Sequence, residues 1–230
     1  MGGDEFSIVP VLTLGPVVVT DTVVATWIIM AALWILCWFA TRRLRADPGV
    51  LQSALEGVVT SIEDAIAAVA PEYARRILPL IGTLWIYLVV ANLWGLLPGA
   101  HSPTRDLSAT AALAIVVFLS THWFGFRISG LRAYLRHYLT PSPLMLPFHL
   151  ISEVTRTVAL AVRLFGNMMS LEMAALLILL VAGFLAPVPI LMLHVIEALV
   201  QAYIFGMLAL IYVAGGLQSQ QMRQKGVSNA

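Results

Sequence analysis

Residues 159–169 read Ala-Leu-Ala-Val-Arg-Leu-Phe-Gly-Asn-Met-Met and lie inside a stretch, 146–183, that is otherwise apolar enough to cross a bilayer. A guanidinium at that depth costs about 2.5–3.5 kcal/mol on insertion scales and more in simulation, so chains rarely keep one without a use for it. Arg163 is therefore the first candidate for a working residue. The composition describes the same solvent. Hydrophobic residues make up 60% of the 230 residues and charged residues 11%. Soluble domains carry about 25% charged residues, so the chain reads as an integral membrane protein.

The net charge of +1 offers no argument for nucleic acid, and none is expected as a partner. The single cysteine, Cys37, can form no internal disulfide. Asp4 and Glu5 stand where a signal peptide needs basic residues, and Pro10, Gly15 and Pro16 interrupt any apolar core. Neither a cleaved signal nor a transit peptide is expected, and residues 1–20 read as a short external N-terminus.

Five stretches are long enough to span, near 22–41, 78–97, 108–126, 146–183 and 188–217. The last two are too long for a perpendicular crossing, since 30 residues reach about 45 Å against a hydrocarbon core of about 30 Å. They must tilt or bend. Over 49–76, Leu51, Leu55, Val58, Ile62, Ile66 and Val69 recur at helical steps, with Gln52, Glu56, Glu63 and Asp64 opposite. This is an amphipathic helix lying along the membrane surface. Its acidic polar face favours packing on a partner subunit or on the chain's own spans over attraction to anionic lipid. The expected fold is an all-α polytopic membrane protein, one domain over 1–230 with five membrane-crossing helices, the last two long and tilted, plus this surface helix. No repeat or soluble domain is visible.

Ten of the thirteen basic residues fall in one set of alternate loops and the tail: Arg42, Arg43, Arg45, Arg75, Arg76, Arg127, Arg132, Arg136, Arg223 and Lys225. Arg105 alone falls in the opposite loops, and Arg156 and Arg163 lie within a span. The positive-inside rule then puts the N-terminus outside and the C-terminus in the cytoplasm. Residues 98–106 become an external turn, 127–143 a cytoplasmic connector and 186–189 a tight external turn.

The chemistry gathers in the last two spans, a hairpin over 146–217. His149, Glu153, Arg156, Arg163 and Asn167 fall along one side of a helix. Glu172, nine residues past Arg163, points to the opposite side about 13.5 Å further along the axis, so the two are not expected to form a private pair. His194, Glu197 and Gln201 share one face of the final span. Asn167 and Gln201 also suit a plain role as glue between helices. His149, Glu153 and Arg156 equally suit a solvated or mutually paired cluster near the cytoplasmic end. Glu172, His194 and Glu197 point instead to an ion or proton path, because a carboxylate inside lipid is expensive. His101, His122 and His137, in or near loops, receive no role.

Other chemistries find little support. His194-x-x-Glu197 is followed by Ala198, not the histidine of a zinc protease. Ser129-Gly130 lacks the preceding glycine of a serine nucleophile motif. No phosphate-cradling loop exists, so neither nucleotide nor any cofactor or metal is expected. A secondary transporter should show two similar halves, and none are seen.

Arg163-Leu164-Phe165-Gly166-Asn167-Met168 resembles the most specific motif of subunit a of F-type ATP synthases. Asn92-Leu93-Trp94-Gly95-Leu96-Leu97-Pro98-Gly99, then Pro103-Thr104-Arg105-Asp106-Leu107, is similar to that family's external turn. Gln201-Ala202-Tyr203-Ile204-Phe205 resembles its final-helix motif, and Leu51-Gln52 with Glu56 its surface helix. Thr157 follows Arg156 where the family commonly has proline, and the N-terminal extension is short, which suits a divergent bacterial branch.

The resemblance implies a stationary, non-catalytic channel subunit in a bacterial inner membrane, beside a rotating ring of c subunits. Its other partners would be b-type stator subunits and the remaining subunits of the synthase. Two offset half-channels would carry protons, or sodium ions, to and from the ring, with Arg163 between them. Glu172, His194 and Gln201 would be half-channel positions, Asn167 would lie one turn from the arginine, and Glu197 would be an additional relay group. Two other readings remain: a stand-alone ion- or proton-coupled transporter, and a scaffold whose arginine pairs internally.

Overall fold

The computed structural model describes residues 10–14, 17–42, 49–97, 100–129, 146–182 and 188–228. Inside hydrocarbon every backbone N–H and C=O must bond within the protein, which leaves long apolar stretches the helix or the closed barrel. The chain takes the helix: α1 (Asp21–Arg42), α2 (Val50–Val69), α3 (Ala74–Trp94), α4 (Leu107–Ser129), α5 (Leu146–Ala182) and α6 (Val188–Ser228). All but α2 are long and apolar enough to cross a membrane, giving the five crossings and the all-α polytopic class the sequence implies. At 1.5 Å per residue, the 37 residues of α5 make about 55 Å and the 41 of α6 about 60 Å.

Three local differences from the sequence reading have simple causes. The N-terminal stretch forms a hairpin, β1 (Pro10–Leu14) antiparallel to β2 (Val17–Thr20), with Leu14 opposite Val17. The β-branched run Val17-Val18-Val19 favours extended backbone, and Gly15-Pro16 separates the two strands. Second, α2 ends at Val69, with its last turn closed by the Ala70 amide on the Ile66 carbonyl at 2.8 Å. Pro71 has no amide proton with which to continue the helix, so Arg75 and Arg76 open α3. Third, α3 stops at Trp94 and residues 95–97 turn. The expected 127–143 connector begins inside α4, and residues 130–145 and 183–187 lie outside those described.

The bundle is organised around α3 and α6, with α4 packed on α5 and α6, and α2 laid against α3. Ala198, Ala202 and Gly206 recur every four residues on α6 and are all buried, so α3 can approach closely. A side chain on Gly206 would overlap the Trp85 indole of α3. That indole stacks on Tyr203, centroids 6.0 Å apart, and donates its Nε1–H to the Tyr203 carbonyl at 3.3 Å. Fully buried Ile66 carries the apolar face of α2 into the same core. Helix α1 is peripheral: Ile29 is its one buried residue among those described, and Trp27 and Trp34 face outward. Outward apolar side chains are the expected surface of a bundle immersed in lipid, and they leave the polar groups for the interior.

Candidate functional site

The inward-facing polar groups form a seam where α3, α6 and the turn before α4 meet. Asn92, wholly buried on α3, donates from Nδ2 to the Ala198 carbonyl at 3.2 Å and accepts at Oδ1 from the Thr104 hydroxyl at 2.8 Å. Ser102 continues the seam, its hydroxyl 2.6 Å from that of Thr104 and donating to the Ala91 carbonyl at 2.9 Å. His194 of α6 is 6% exposed and places Nε2 3.4 Å from the Asn92 carbonyl oxygen. Two turns along α6 lies Gln201, 2% exposed, which accepts at Oε1 from Asn167 Nδ2 of α5 at 2.7 Å. The Gln201 Nε2 is buried with no hydrogen-bond partner among the described residues. Buried amide donors are nearly always satisfied, so this one marks a site where water or a partner chain is called for. None of Asn92, Ser102 and Thr104 stood among the sequence candidates. The signal available was a polar residue inside each of two apolar or turn motifs.

Arg163 lies elsewhere on α5. Its neighbours Leu160, Ala161 and Leu164 are buried, while Arg163 is exposed and has no hydrogen bond or ion pair among the described residues. Asn167 and Gln201 bond to each other, not to the arginine.

Glu172 is on another side of α5, as the helical count requires. Its Oε1 receives Arg105 Nη1 at 2.9 Å and lies 2.9 Å from His101 Nδ1. The sequence reading gave His101 no role, and the structure seats it on a candidate carboxylate. The hint was Arg105, the lone basic residue in its set of loops. Glu172, Arg105 and Asp106 share the wall of a cavity of about 270 Å³ with Thr22, Phe165 and Met169. The Asp106 Oδ2 is likewise buried without a partner among the described residues.

Further along α5, Glu153 meets His122 of α4 at 3.6 Å, and Arg156 stacks its guanidinium 4.6 Å from the Tyr212 ring centroid on α6. The stripe expected on one side of α5 is thus divided among partners on α4 and α6, and His122, also given no role, has one. The side chain of His149 lies outside the described residues. Glu197 is half-buried, with no hydrogen bond or ion pair among the described residues, and none joins Glu172 to His194.

Chemically, the arrangement offers an ionisable cluster at Glu172, a buried polar seam that ends at the Asn167–Gln201 amide pair, and, one turn beyond that pair on α5, an exposed guanidinium with no ion pair among the described residues. A family model described as ATP synthase A chain matches residues 23–214. The chain is 69% identical over 207 residues to ATP synthase subunit a 1 of Hahella chejuensis, covering 90% of this chain and 88% of that one. It is 63% identical over 211 residues to ATP synthase subunit a 2 of Pelobacter propionicus, covering 92% of each. To ATP synthase subunit a of Legionella pneumophila it is 52% identical over 229 residues, 99% of this chain and 100% of the relative.

Proposed function

This chain belongs to the ATP synthase A chain family, and on that footing we propose that Arg163 is the fixed charge between two offset half-channels through which ions reach a rotating ring of carboxylates. Membership makes the chain a multi-pass bacterial membrane protein that works in a complex with other ATP synthase subunits. The finer assignment is our reading.

The observation that carries it is the state of Arg163. It sits in a membrane-crossing helix, faces outward, and has no counter-charge among the described residues. An uncompensated guanidinium at that depth calls for an acceptor from outside the chain, and a carboxylate on a passing ring subunit meets the need. At an effective dielectric near 20 such a pair at 4 Å attracts by about 4 kcal/mol. One elementary charge crossing 100 mV releases about 2.3 kcal/mol, so the pair is of a size that a working membrane potential helps to break. A permanently charged arginine between the half-channels keeps the arriving carboxylate ionised and bars direct leakage. Ions then cross only by riding the ring.

The seam Thr104, Asn92, His194, Gln201 and Asn167 is proposed as the wall of one half-channel, with Glu172 near its outer end. Glu153, Arg156, His149 and Glu197 remain secondary candidates, the first three at the opposite end of α5. The N-terminus is proposed to be outside and the C-terminus in the cytoplasm. The stationary partners are proposed to be b-type subunits, and the carried ion a proton.

Pumping in the assembled complex tests the central role. Arg163→Ala should abolish ATP-driven pumping while the complex still assembles, and Arg163→Lys should also fail in coupled synthesis, because a compact ammonium lacks the planar multi-donor fork. A stand-alone transporter would instead carry ion flux when purified without the ring. Normal synthesis in assembled Arg163→Ala would end this reading.

A further inference from the structure

We propose that His101 is the group through which this end of the chain exchanges protons with its surroundings, with Glu172 and Arg105 as the pair that positions it. The inference rests on the half-channel reading and deepens it. Glu172 Oε1 is held from two directions, by Arg105 Nη1 and His101 Nδ1, each at 2.9 Å. Arginine carries donors only and does not give up its proton, so a proton moving through this cluster is carried by His101 or Glu172. Of the three side chains, His101 is the open one, 41% exposed against 22% for Glu172 and 17% for Arg105. Histidine is also the side chain that ordinarily exchanges protons between about pH 5 and 8.

Geometry divides the labour further. With Nδ1 committed to the carboxylate, Nε2 has no partner among the described residues. Both contacts on Glu172 fall on Oε1, leaving Oε2 likewise without one. The cavity that Glu172 lines runs along α5 past Met169 to Phe165, eight residues from Met173 and about 12 Å of helix. Its wall on α5 ends at Phe165, two residues from Arg163 in the chain. Glu172, Arg105 and Asp106 make this a polar-lined cavity of about 270 Å³, the size and lining that hold water.

The transfer balances. His101 takes a proton at Nε2 from outside and passes its Nδ1 proton to Glu172 Oε1. The carboxyl group releases a proton into the cavity and returns to its pairing with Arg105. The neutral ring, protonated on Nε2, regains its Nδ1 proton by turning or by exchange with water. Among the described residues, two other carboxylates lie near the cluster, Asp106 and Asp21. Asp106 opens α4, with Oδ1 accepting the Ser108 amide at 2.9 Å, and α1 brings Thr22 to the wall with Asp21 beside it.

Gradient-driven ATP synthesis by the assembled complex, with pH varied on the side bearing His101, provides the test. His101→Gln should slow synthesis several-fold and flatten its dependence on pH, since a glutamine cannot take up and release a proton. Imidazole added on that side should restore the rate, which a merely structural loss would not allow. Arg105→Gln should flatten the same profile and Arg105→Lys should largely keep it. A wild-type rate and profile in His101→Gln, or no rescue by imidazole, would overturn the proposal. Glu172→Gln separates the two levels of inference. If it slows synthesis while His101→Gln does not, only the role of His101 falls; if it too is silent, the half-channel position of Glu172 falls with it.

Discussion

Asn167 donates a 2.7 Å hydrogen bond to Gln201 across the two longest helices, and Arg163, one turn away on α5, takes no part in it. The amide pair fixes the spacing of α5 and α6 at this level and leaves the guanidinium free for a partner from outside the chain. A private bond from either amide to Arg163 would have reduced that freedom.

The amide pair should therefore behave as one unit. Asn167→Leu leaves the buried Gln201 Oε1 unmet, whereas Gln201→Leu with Asn167→Leu removes both partners. Double-mutant cycles on the thermal stability of the purified complex should give a coupling of about 0.6 kcal/mol and no more than about 1.7, the average and the maximum found for hydrogen bonds between membrane helices. Additive losses would mean the bond does not form in the assembled enzyme.

Half-channel groups should be replaceable in part, unlike Arg163. Glu172→Gln or His194→Ala should slow pumping without destroying the barrier, because neighbouring groups and water take over some transfers. Glu197→Gln should have the smaller effect, since Glu197 joins no bond in the described structure. Unchanged pumping in Glu172→Gln with His194→Ala would move the path away from these residues.

Two glycines should respond oppositely. Gly206→Ala drives a methyl group into the Trp85 indole and disturbs its stack and bond with Tyr203, and overpacking of this kind costs about 1–3 kcal/mol. Trp85→Phe in the same chain should recover part of the loss. At Gly166 an added Cβ meets nothing within 4 Å, so Gly166→Ala should leave the fold's stability within about 0.5 kcal/mol. Denaturation midpoints of the four complexes check both statements.

Orientation can be read with cysteine labelling in a Cys37→Ser background. Ser102 looks suitable in the sequence, but it is 4% exposed and bonded to the Ala91 carbonyl, so it should label poorly. Ser108 and Ser53 are exposed, and cysteines there should react from outside and from the cytoplasm respectively. Labelling of both from one side would break the proposed topology.

Much of this protein was legible in its sequence because the controlling physics is one-dimensional. Apolar runs of spanning length must become helices in lipid, and a charge inside one declares itself by residue type alone, as Arg163 does. The three-and-four periodicity also put Glu172 on the side of α5 away from Arg163, since that needs only the helical repeat. What pairs across helices was decided by tertiary structure. Nothing in the spacing joins Asn92 to Ala198 or His101 to Glu172, separated by 106 and 71 positions, because each bond exists only once distant elements, two helices in the first case and a turn and a helix in the second, have packed. The packing was set by something the hydropathy pattern does not register: small residues at 198, 202 and 206 that let α3 and α6 approach until Trp85 lies over Gly206. Hydropathy counts side chains by what they are, whereas close approach depends on where they are missing.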